Sequence, residues 1–489
     1  MLHLIIFIPL FAAVAILLGA PARKTALGAA IAGFVLSLLA FLSYNRALGG
    51  FQFVSSYSIV PDWKLNYAVG ADGLSLLMLL LTGIVTLAAV WVTPTVAKRE
   101  NLFYACVLFI TAGAAGAFAS VDLFFLYAFH ELALIPTFLL IGLWGSGERH
   151  SAAWKITIYL GLGSFILLIG LVDLYLAVPE ASRTFNLIEL QRLASNGLIP
   201  AAAQSRPYIF LLIGFGVLIS LFPFHSWAPT AYASAPTPAA MLHAGVLKKF
   251  GLYGLIRVAL PLLPEGAKHW AWLLLILLVG NIIYIGLVTI AQRKLDLLLG
   301  NSSVMHMGYI FLGIAALNVV GVSGAALLMF AHGLSIAALF AMAGMLREKN
   351  PTLTLDSFGG LAKPMPWLAF AFGLAAFASI GLPGFANFAS ELTVFFGAFK
   401  PAAGLNADNF QLATVFGLWG VVISAVYMLR AYRAIFMGEP GQDAAAWIDP
   451  VKSLRWPVIL LLAALLVAGF APGHFFSYVR PSVEALLPK

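Results

Sequence analysis

The chain is a succession of long apolar runs separated by short polar connections. A helix that crosses the hydrocarbon core of a bilayer needs about 20 apolar residues, and about fourteen segments meet that need. The segments are 2–19, 25–43, 74–93, 102–119, 121–144, 152–177, 207–232, 236–262, 269–291, 296–317, 321–346, 366–400, 409–437 and 455–474.

Two of these segments are interrupted. Pro223 and Pro229 fall inside the seventh, and the run 381–384 (GLPG) falls inside the twelfth. Proline removes a backbone donor and breaks a helix, and irregular backbone at membrane depth is tolerated only inside protein or beside a wet cavity. Two breaks five spans apart hint at two inverted five-helix repeats, as in transporters, although no clear sequence repeat supports them. The pattern predicts an all-α integral membrane protein of about 14 transmembrane helices.

Composition and charge agree with this prediction. The chain has 489 residues, of which 62% are hydrophobic and 9% charged, whereas a soluble domain carries about 25% charged residues. The net charge of +8 does not indicate nucleic-acid binding, because most lysines and arginines lie in short loops. Their excess on one set of alternating loops predicts that both termini lie on the outer side. The predicted location is a bacterial inner membrane, with the lipid bilayer as one partner.

Several kinds of chemistry find no support in the sequence. There is one cysteine, Cys106, so the chain forms no internal disulfide and no all-cysteine cluster. No phosphate loop, dinucleotide fingerprint, metal-ligand spacing or nucleophile–base pattern is present. We therefore predict no cofactor and no metal, and the remaining chemistry lies in ionisable residues at membrane depth.

The first of these residues are an acid and two lysines. Glu131 lies near the middle of the fifth segment, where a charged carboxylate is expensive, so we expect it to face the bundle interior. Lys248 and Lys249 lie in the eighth segment and point about 100° apart. A lysine desolvated by burial takes part readily in proton exchange. The alternatives to proton exchange are structural: a hydrogen bond to another helix for Glu131, and a Lys248 side chain that extends along a helix end.

Two histidines and a second acid follow. His306 and His332 lie in neighbouring segments among small and hydroxyl residues, and a histidine can relay a proton through its two ring nitrogens. Glu391 follows the break in the twelfth segment. The alternatives are satisfied core histidines and an interfacial acid at a half-helix start. The five residues suggest ion movement, with Lys248 and His225 as secondary candidates.

Several runs together resemble chain M, or subunit 4, of bacterial respiratory complex I, the proton-translocating NADH:quinone oxidoreductase. More loosely they resemble the large subunits of multisubunit sodium/proton antiporters. The resemblance covers almost the whole chain. The runs are 130–145 (HELALIPTFLLIGLWG), 221–229 (LFPFHSWAP), 235–237 (APT), 302–308 (SSVMHMG), 331–335 (AHGLS) and 381–391 (GLPGFANFASE).

The resemblance implies a proton path and its residues. Glu131 would be the acid of the first half-channel, Lys249 the central lysine, His306 and His332 members of the polar axis, and Glu391 the terminal acid. It also implies that other membrane subunits of a complex I-type assembly are partners and that redox energy comes from them. Within a single membrane domain, 1–489, the N-terminal helices would occupy 2–119, the half-channel repeats 121–262 and 269–437, and the last helix and tail 455–489.

The sequence departs from this family at the seventh segment. The family typically has a lysine there as partner of the first acid, and here the position is Leu218. His130 adjoins Glu131 in sequence but is expected to point elsewhere on the helix. Our hypothesis is that another base replaces the lysine or that this chain pumps differently. An aspartate of the family is Thr230 here, and its Asp-Leu-Lys order is reversed at 294–296 (KLD).

Two other readings stay open. The chain could be the ion-transporting subunit of a multisubunit antiporter or a membrane-bound hydrogenase, and the sequence does not distinguish protons from sodium ions. It could also be a structural spacer whose channel is impaired by Leu218. Five retained residues argue against the spacer: Glu131, Lys249, His306, His332 and Glu391.

Overall fold

The structure is a computed structural model that describes residues 1–93, 96, 98–439 and 447–487. Its helices up to the first break are α1 (Leu2–Leu17), α2 (Ala22–Ser43), α3 (Gly73–Val92), α4 (Glu100–Ala119), α5 (Leu123–Trp144), α6 (Arg149–Ala177), α7 (Leu187–Ser195) and α8 (Ser205–Ile219). Those between the breaks are α9 (Trp227–Ser234), α10 (Thr237–Leu242), α11 (Lys249–Gly254), α12 (Leu260–Leu262), α13 (Pro264–Val279), α14 (Ile285–Ala291), α15 (Leu295–Ala315), α16 (Val319–Arg347) and α17 (Pro366–Ile380). The remaining helices are α18 (Ala386–Phe399), α19 (Ala407–Phe436), α20 (Lys452–Phe470) and α21 (Pro472–Leu486). Three π turns join helices end to end: His243–Leu247, Leu255–Ala259 and Gly280–Tyr284.

A helical membrane bundle is confirmed, but the count of fourteen spans stays a prediction. Among the described residues, eleven helices are long and apolar enough to cross a membrane. The predicted span 2–19 is a shorter helix, 366–400 is a pair of short helices, and 236–262 consists of short helices joined by π turns. These three predicted spans are therefore not among the eleven, because their helices are short or interrupted.

A two-stranded hairpin was missed by the sequence analysis. Strand β1 (Gln52–Val60) pairs antiparallel with β2 (Leu65–Ala71) in the connection between α2 and α3. Tyr57 lies opposite Tyr67, and the Tyr67 ring meets Phe125 of α5 edge to face at 5.3 Å. Regular alternation of apolar and polar residues is the usual signal of a half-buried strand. In β1 small polar residues interrupt that alternation.

The centre and the rim of the bundle differ in burial. Helices α3 and α16 are buried on all sides, and α15 is nearly so, whereas only about a third of α2 and of α20 is buried. A helix that is apolar all round belongs in the middle of a bundle. His306 on α15 and His332 on α16 therefore lie in the interior, where a polar group must find its partners within the protein.

The predicted units correspond to consecutive helices. Residues 121–262 contain α5–α12, and residues 269–437 contain most of α13 and all of α14–α19, while the division into repeats stays a prediction. The expected tail is helical as far as Leu486, and the Tyr478 ring of α21 stacks on Phe41 of α2 at 4.1 Å. The last two residues, 488–489, lie outside the described residues.

Candidate functional site

The break in the seventh span is filled by one amide side chain. Helix α8 ends at Ile219, and α9 begins at Trp227. Asn281, in the π turn Gly280–Tyr284, accepts from the Phe222 N–H at 2.7 Å and donates to the Ser220 carbonyl at 3.2 Å. An irregular backbone inside a membrane survives when such partners are supplied. Asn281 therefore fixes this break with a group that does not titrate.

At the break in the twelfth span, the side chain that contacts the freed backbone is a histidine. Helix α17 ends at Ile380, and Gly381 adopts a left-handed φ of 82°. Because the helix stops, the Ser379 carbonyl is free to accept from His306 Nε2, which lies 2.8 Å away. The other ring nitrogen, Nδ1, lies 2.7 Å from the Ser302 carbonyl.

This arrangement of His306 suits the protonated ring. Carbonyl oxygens only accept hydrogen bonds, and a neutral imidazole has one N–H, whereas an imidazolium has two. The pair of carbonyls from Ser302 and Ser379 can therefore hold an added proton with both donors satisfied. His332 stands perpendicular to His306, with ring centroids 5.4 Å apart. Within the described residues, neither nitrogen of His332 has a hydrogen-bond partner.

Glu391 on α18 is buried, with 4% of its surface exposed. One carboxylate oxygen, Oε1, has no partner among the described residues, and the other lies directly against the backbone of Gly381. The Tyr309 ring lies 5.6 Å from that of His306. Glu391 and His306 thus both lie beside the second break.

Lys249 is completely buried beside a π turn. Its Nζ donates to the Ala244 carbonyl at 2.7 Å, and this carbonyl belongs to the turn His243–Leu247. A π turn disturbs the regular pairing of helix carbonyls and occurs often at functional sites. The local distortion thus provides the central lysine with an acceptor inside the bundle.

Lys248 is also buried, at 1% exposure, so it does not extend along a helix end into water. Its Nζ lies 3.5 Å from the Ser303 hydroxyl and 5.7 Å from the centre of the Tyr232 ring. Lys248 and Lys249 therefore have different partners, as their separation on the helix suggests. Ser303 lies on α15, the helix that carries His306, so Lys248 points towards the histidine pair.

Glu131 is placed differently from the prediction. Its side chain is 33% exposed, and it lines a lateral cavity of about 370 Å³ together with Ile135, Trp154 and Gly161. The expectation that it faces the bundle interior is wrong, because its position on α5 turns it towards the cavity beside α6.

His130 also departs from expectation. Its Nδ1 lies 3.4 Å from Oε1 of Glu131, so the side chains meet although their positions diverge on the helix. The imidazole is stacked on Phe250 of α11 at a centroid distance of 4.1 Å. His130 thus connects the exposed acid with the helix of the central lysine.

His225 lies in the first break, between the end of α8 and the start of α9. It is half-buried and parallel to the Phe222 ring at 5.7 Å. Its Nδ1 has no hydrogen-bond partner among the described residues.

A polar cavity of about 570 Å³ opens on the side predicted to be inside. Thr230 and Asp296 line it, with Glu148, Lys155 and Lys294. Asp296 pairs with Arg347, with Nη2 and Oδ2 3.1 Å apart. The reversed Lys-Leu-Asp order thus still places a charge pair at the start of α15.

Sequence reasoning missed two members of the site, Asn281 and His243. His243 begins the π turn next to Lys248, and its ring lies between Trp227 and Tyr232, at centroid distances of 5.6 and 5.7 Å. The signal that could have revealed it is a histidine on the same buried helix as the lysines. Among the described residues, no group of three or more histidines, cysteines and acids is arranged to hold a metal ion.

Comparison with known proteins gives one consistent picture. Residues 120–417 match the family model described as NADH:quinone oxidoreductase/Mrp antiporter, TM. NAD(P)H-quinone oxidoreductase chain 4 2 of Microcystis aeruginosa is 38% identical over 441 residues, which cover 89% of this chain and 78% of that protein. NAD(P)H-quinone oxidoreductase chain 4 of Gloeobacter violaceus is 36% identical over 482 residues, which cover 97% and 89%.

Solved structures agree on the fold. A chain of respiratory complex I from Thermus thermophilus with bound NADH superposes with a TM-score of 0.90 and 28% identity, with both chains covered completely. A chain of the Mrp complex from Dietzia superposes with a TM-score of 0.85 and 21% identity, over 99% of this chain and 97% of that one.

Proposed function

The chain belongs to the NADH:quinone oxidoreductase/Mrp antiporter family, and on that premise we propose that it is a proton-translocating membrane-arm subunit of a complex I-type NADH:quinone oxidoreductase. It is a multi-pass membrane protein whose partners are other membrane subunits of such an assembly. The chain carries out no redox step of its own, and the redox chemistry of partner subunits drives the transfer of protons.

The observation that carries the proposal is the buried polar row, which we define as Lys248, Lys249, His306, His332 and Glu391. Each of its members is at least nine-tenths buried. Ionisable groups at such depth are expensive and mark ion pathways in membrane proteins. The row runs from the helix of the central lysines through α15 and α16 to α18.

We assign roles to four members of the row and to Glu131. Lys249 holds a proton between the two halves of the bundle, with the Ala244 carbonyl as its acceptor. His306 takes up a proton between two carbonyls. His332 passes it on, and Glu391 receives it as the terminal acid. Glu131 exchanges protons at the lateral cavity.

The experiment replaces the central lysine. In inverted membrane vesicles that contain the assembled complex, Lys249→Met should leave NADH oxidation with uncoupler intact and reduce NADH-driven quenching of an acridine dye. Lys268→Met is the control, because Lys268 pairs with Glu265 at 2.8 Å outside the row, and it should quench like the wild type. Normal quenching by Lys249→Met would refute the proposed path.

An ion-transporting subunit of an antiporter is the second candidate. The matching family includes Mrp antiporters, and the fold is shared with the Dietzia chain. The two candidates differ in what drives transport. NADH-driven quenching without added sodium supports the complex I-type subunit, whereas quenching that needs a sodium gradient and no NADH supports the antiporter.

A spacer with an impaired channel is the third candidate, and Leu218 is the observation in its favour. Leu218 is buried at 4% exposure and provides no charge for Glu131. A spacer predicts that Lys249→Met and Glu391→Gln both leave proton transfer unchanged.

We also propose that the chain lies in a bacterial inner membrane with both termini on the outer side, which the loop charges support. The test uses the single cysteine, Cys106, which is buried. After Cys106→Ala, a cysteine introduced at Ala485, an exposed position of α21, should react with an impermeant maleimide in intact spheroplasts. Reaction only in inverted vesicles would place the C-terminus inside.

A further inference from the structure

Lys249 lies on a short helix whose own backbone does not fix its orientation. Helix α11 (Lys249–Gly254) has six residues and lies between the π turns His243–Leu247 and Leu255–Ala259. A π turn interrupts the regular pairing of helix carbonyls, and a helix of this length is marginal by itself. The direction of the Lys249 side chain therefore depends on the groups that α11 contacts.

One side of α11 packs directly on α8. Gly251 faces the Phe215 carbonyl and the Ile219 side chain, and Gly254 faces the Phe215 ring. A Cβ at either glycine would collide with these atoms, so the two helices approach closely. The contact on this side is steric, whereas the polar contacts of α11 are made with α3 and α4.

Tyr253 lies one turn after Lys249, and its buried hydroxyl connects α11 with two other helices. The hydroxyl donates to the Phe118 carbonyl of α4 at 3.1 Å and lies 2.9 Å from the Ser75 hydroxyl of α3. Residues four apart lie on the same side of a helix. The Tyr253 contacts therefore fix the side of α11 from which Lys249 extends.

The second π turn carries Arg257, whose charge is paired with that of Asp72. Both side chains are buried, at 1% and 2% exposure, and Nη2 of Arg257 donates to Oδ1 of Asp72 at 2.5 Å. Nη2 also lies 3.3 Å from the Ser75 hydroxyl, and Nε donates to the Tyr253 hydroxyl at 3.3 Å. An arginine in a protein is not deprotonated, so Arg257 keeps its charge and carries no transported proton.

Asp72 is itself held in place by neighbouring backbone. Its Oδ1 also accepts from the Ser75 N–H at 3.0 Å and so caps α3, a helix that is buried on all sides. The next residue, Gly73, donates its N–H to the Ser482 hydroxyl of α21 at 3.0 Å. Arg257 therefore pairs with a side chain whose position is set by α3 and α21.

We propose that Arg257, Asp72 and Tyr253 form a buried clamp that positions Lys249 by fixing the helix that carries it. This inference rests on the proposed function, because it assigns Lys249 to proton transfer. The three residues of the clamp are positioning residues and do not exchange the transported proton. A reacting group misplaced by about 1 Å can lose about a hundredfold in rate, so loss of the clamp should slow transfer although Lys249 is still present.

The first test breaks the ion pair with Arg257→Gln in the assembled complex in inverted vesicles. The ratio of NADH-driven dye quenching to uncoupled NADH oxidation should fall at least about twofold. A merely structural role would lower quenching and uncoupled oxidation together, because it changes only the amount of complex. Arg480→Gln is the matched control, since Arg480 pairs with Glu484 in an exposed position. A wild-type ratio for Arg257→Gln overturns the proposal.

A second variant keeps the test decisive if Arg257→Gln does not assemble. Tyr253→Phe removes one hydroxyl from the clamp and leaves both of its charges paired, and it should also lower the ratio. Tyr104→Phe is its control, because the Tyr104 hydroxyl is buried and has no hydrogen-bond partner among the described residues. Equal ratios for the two tyrosine variants overturn the proposal.

A double variant asks whether Asp72 itself carries protons. Loss of one partner of a buried ion pair leaves an unpaired charge, whereas replacement of both partners is often tolerated. Asp72→Asn added to Arg257→Gln should therefore restore the ratio, since asparagine keeps an oxygen that can cap α3 and accept from the glutamine amide. A double variant that assembles but does not recover quenching would make Asp72 part of the proton path and overturn the proposal.

Hydrogen exchange in the purified complex measures the effect on the helix directly. In Arg257→Gln the amides of residues 249–259 should exchange at least about tenfold faster, because a broken buried ion pair favours local opening. The amides of α15 should exchange as in the wild type. Unchanged exchange at 249–259 overturns the clamp, even if quenching falls.

These results are distinguishable from failure of the proposed function. If Lys249→Met quenches like the wild type, the proposed function fails, whereas hydrogen exchange still shows whether Arg257 fixes α11. If Lys249→Met loses quenching and Arg257→Gln keeps the wild-type ratio, protons pass through Lys249 but the clamp does not position it.

Discussion

The two helix breaks differ in the side chain that fills them. In the first, Asn281 pairs with the Phe222 N–H and the Ser220 carbonyl. In the second, His306 pairs with the Ser379 carbonyl. An amide keeps its hydrogens, whereas an imidazole gains and loses one. The same structural need, to satisfy backbone freed by a break, is thus met once by a fixed group and once by a proton carrier.

The two acids, Glu131 in the first half of the bundle and Glu391 in the second, also differ in their surroundings. Glu131 opens on a lateral cavity and has His130 beside it, while Glu391 is buried against Gly381 with one oxygen free. The acid of the first half is thus partly exposed beside a histidine, whereas the acid of the second half is buried at the helix break.

The largest expected effect comes from the buried acid. Glu391→Gln should slow proton transfer through the chain by about a hundredfold or more, since no other acid faces the second break among the described residues. Glu131→Gln should have a smaller effect, because Glu131 is only partly buried and has the His130 ring beside it. The measurement is dye quenching per NADH oxidised in vesicles. A larger loss of quenching for Glu131→Gln than for Glu391→Gln would contradict this order. Wild-type quenching by Glu131→Gln would show that Glu131 is not on the proton path.

The second-largest expected effect is a loss of stability when Asn281, at the first break, is replaced. Asn281→Ala leaves the Phe222 N–H and the Ser220 carbonyl buried without this partner, at about 2–5 kcal/mol in total. Asn301→Ala is the control, because Asn301 donates only to Leu297 of its own helix, and should cost about 1 kcal/mol. Unfolding of the purified chain in detergent measures both. Equal losses would mean that Asn281 does not hold the break.

The smallest effect compares two glycines of the second break. Gly381 and Gly384 both have left-handed φ values, of 82° and 98°, and alanine there costs about 1 kcal/mol in each case. A Cβ on Gly381 would also collide with the Glu391 carboxylate, whereas at Gly384 the nearest atom is 3.8 Å away, on Phe470. Gly381→Ala should therefore destabilise the chain by about 1–2 kcal/mol more than Gly384→Ala.

That difference in unfolding free energy should be accompanied by reduced quenching for Gly381→Ala only. Equal stability and equal quenching in the two variants would show that Glu391 has room to move away from Gly381.

Much of the fold could be predicted from sequence because apolar length decides which segments cross a bilayer. Pro223 and the run 381–384 located both breaks, since proline and glycine disrupt helices locally. The hairpin was not predictable, because the pairing of β1 with β2 depends on contacts such as that of Tyr67 with Phe125.

The site was harder to predict than the fold. Burial of Glu391 and Lys249 follows from their place in long apolar runs. The direction of Glu131 depends on how α5 packs on α6, and the meeting of His130 with Glu131 depends on side-chain torsions that helix geometry leaves free. Asn281 and His243 gain significance only from distant partners, such as Ser220 for the first and Tyr232 for the second.

The central claim is that the second break carries protons through His306, and one variant tests it most directly. His306→Gln keeps a donor for the Ser379 carbonyl but cannot hold an added proton, so assembly and uncoupled NADH oxidation should be normal. The account predicts that dye quenching per NADH falls at least about twofold, because the proton-transfer step loses its acid–base group. Quenching equal to that of the wild type, in a complex that assembles fully, would contradict it.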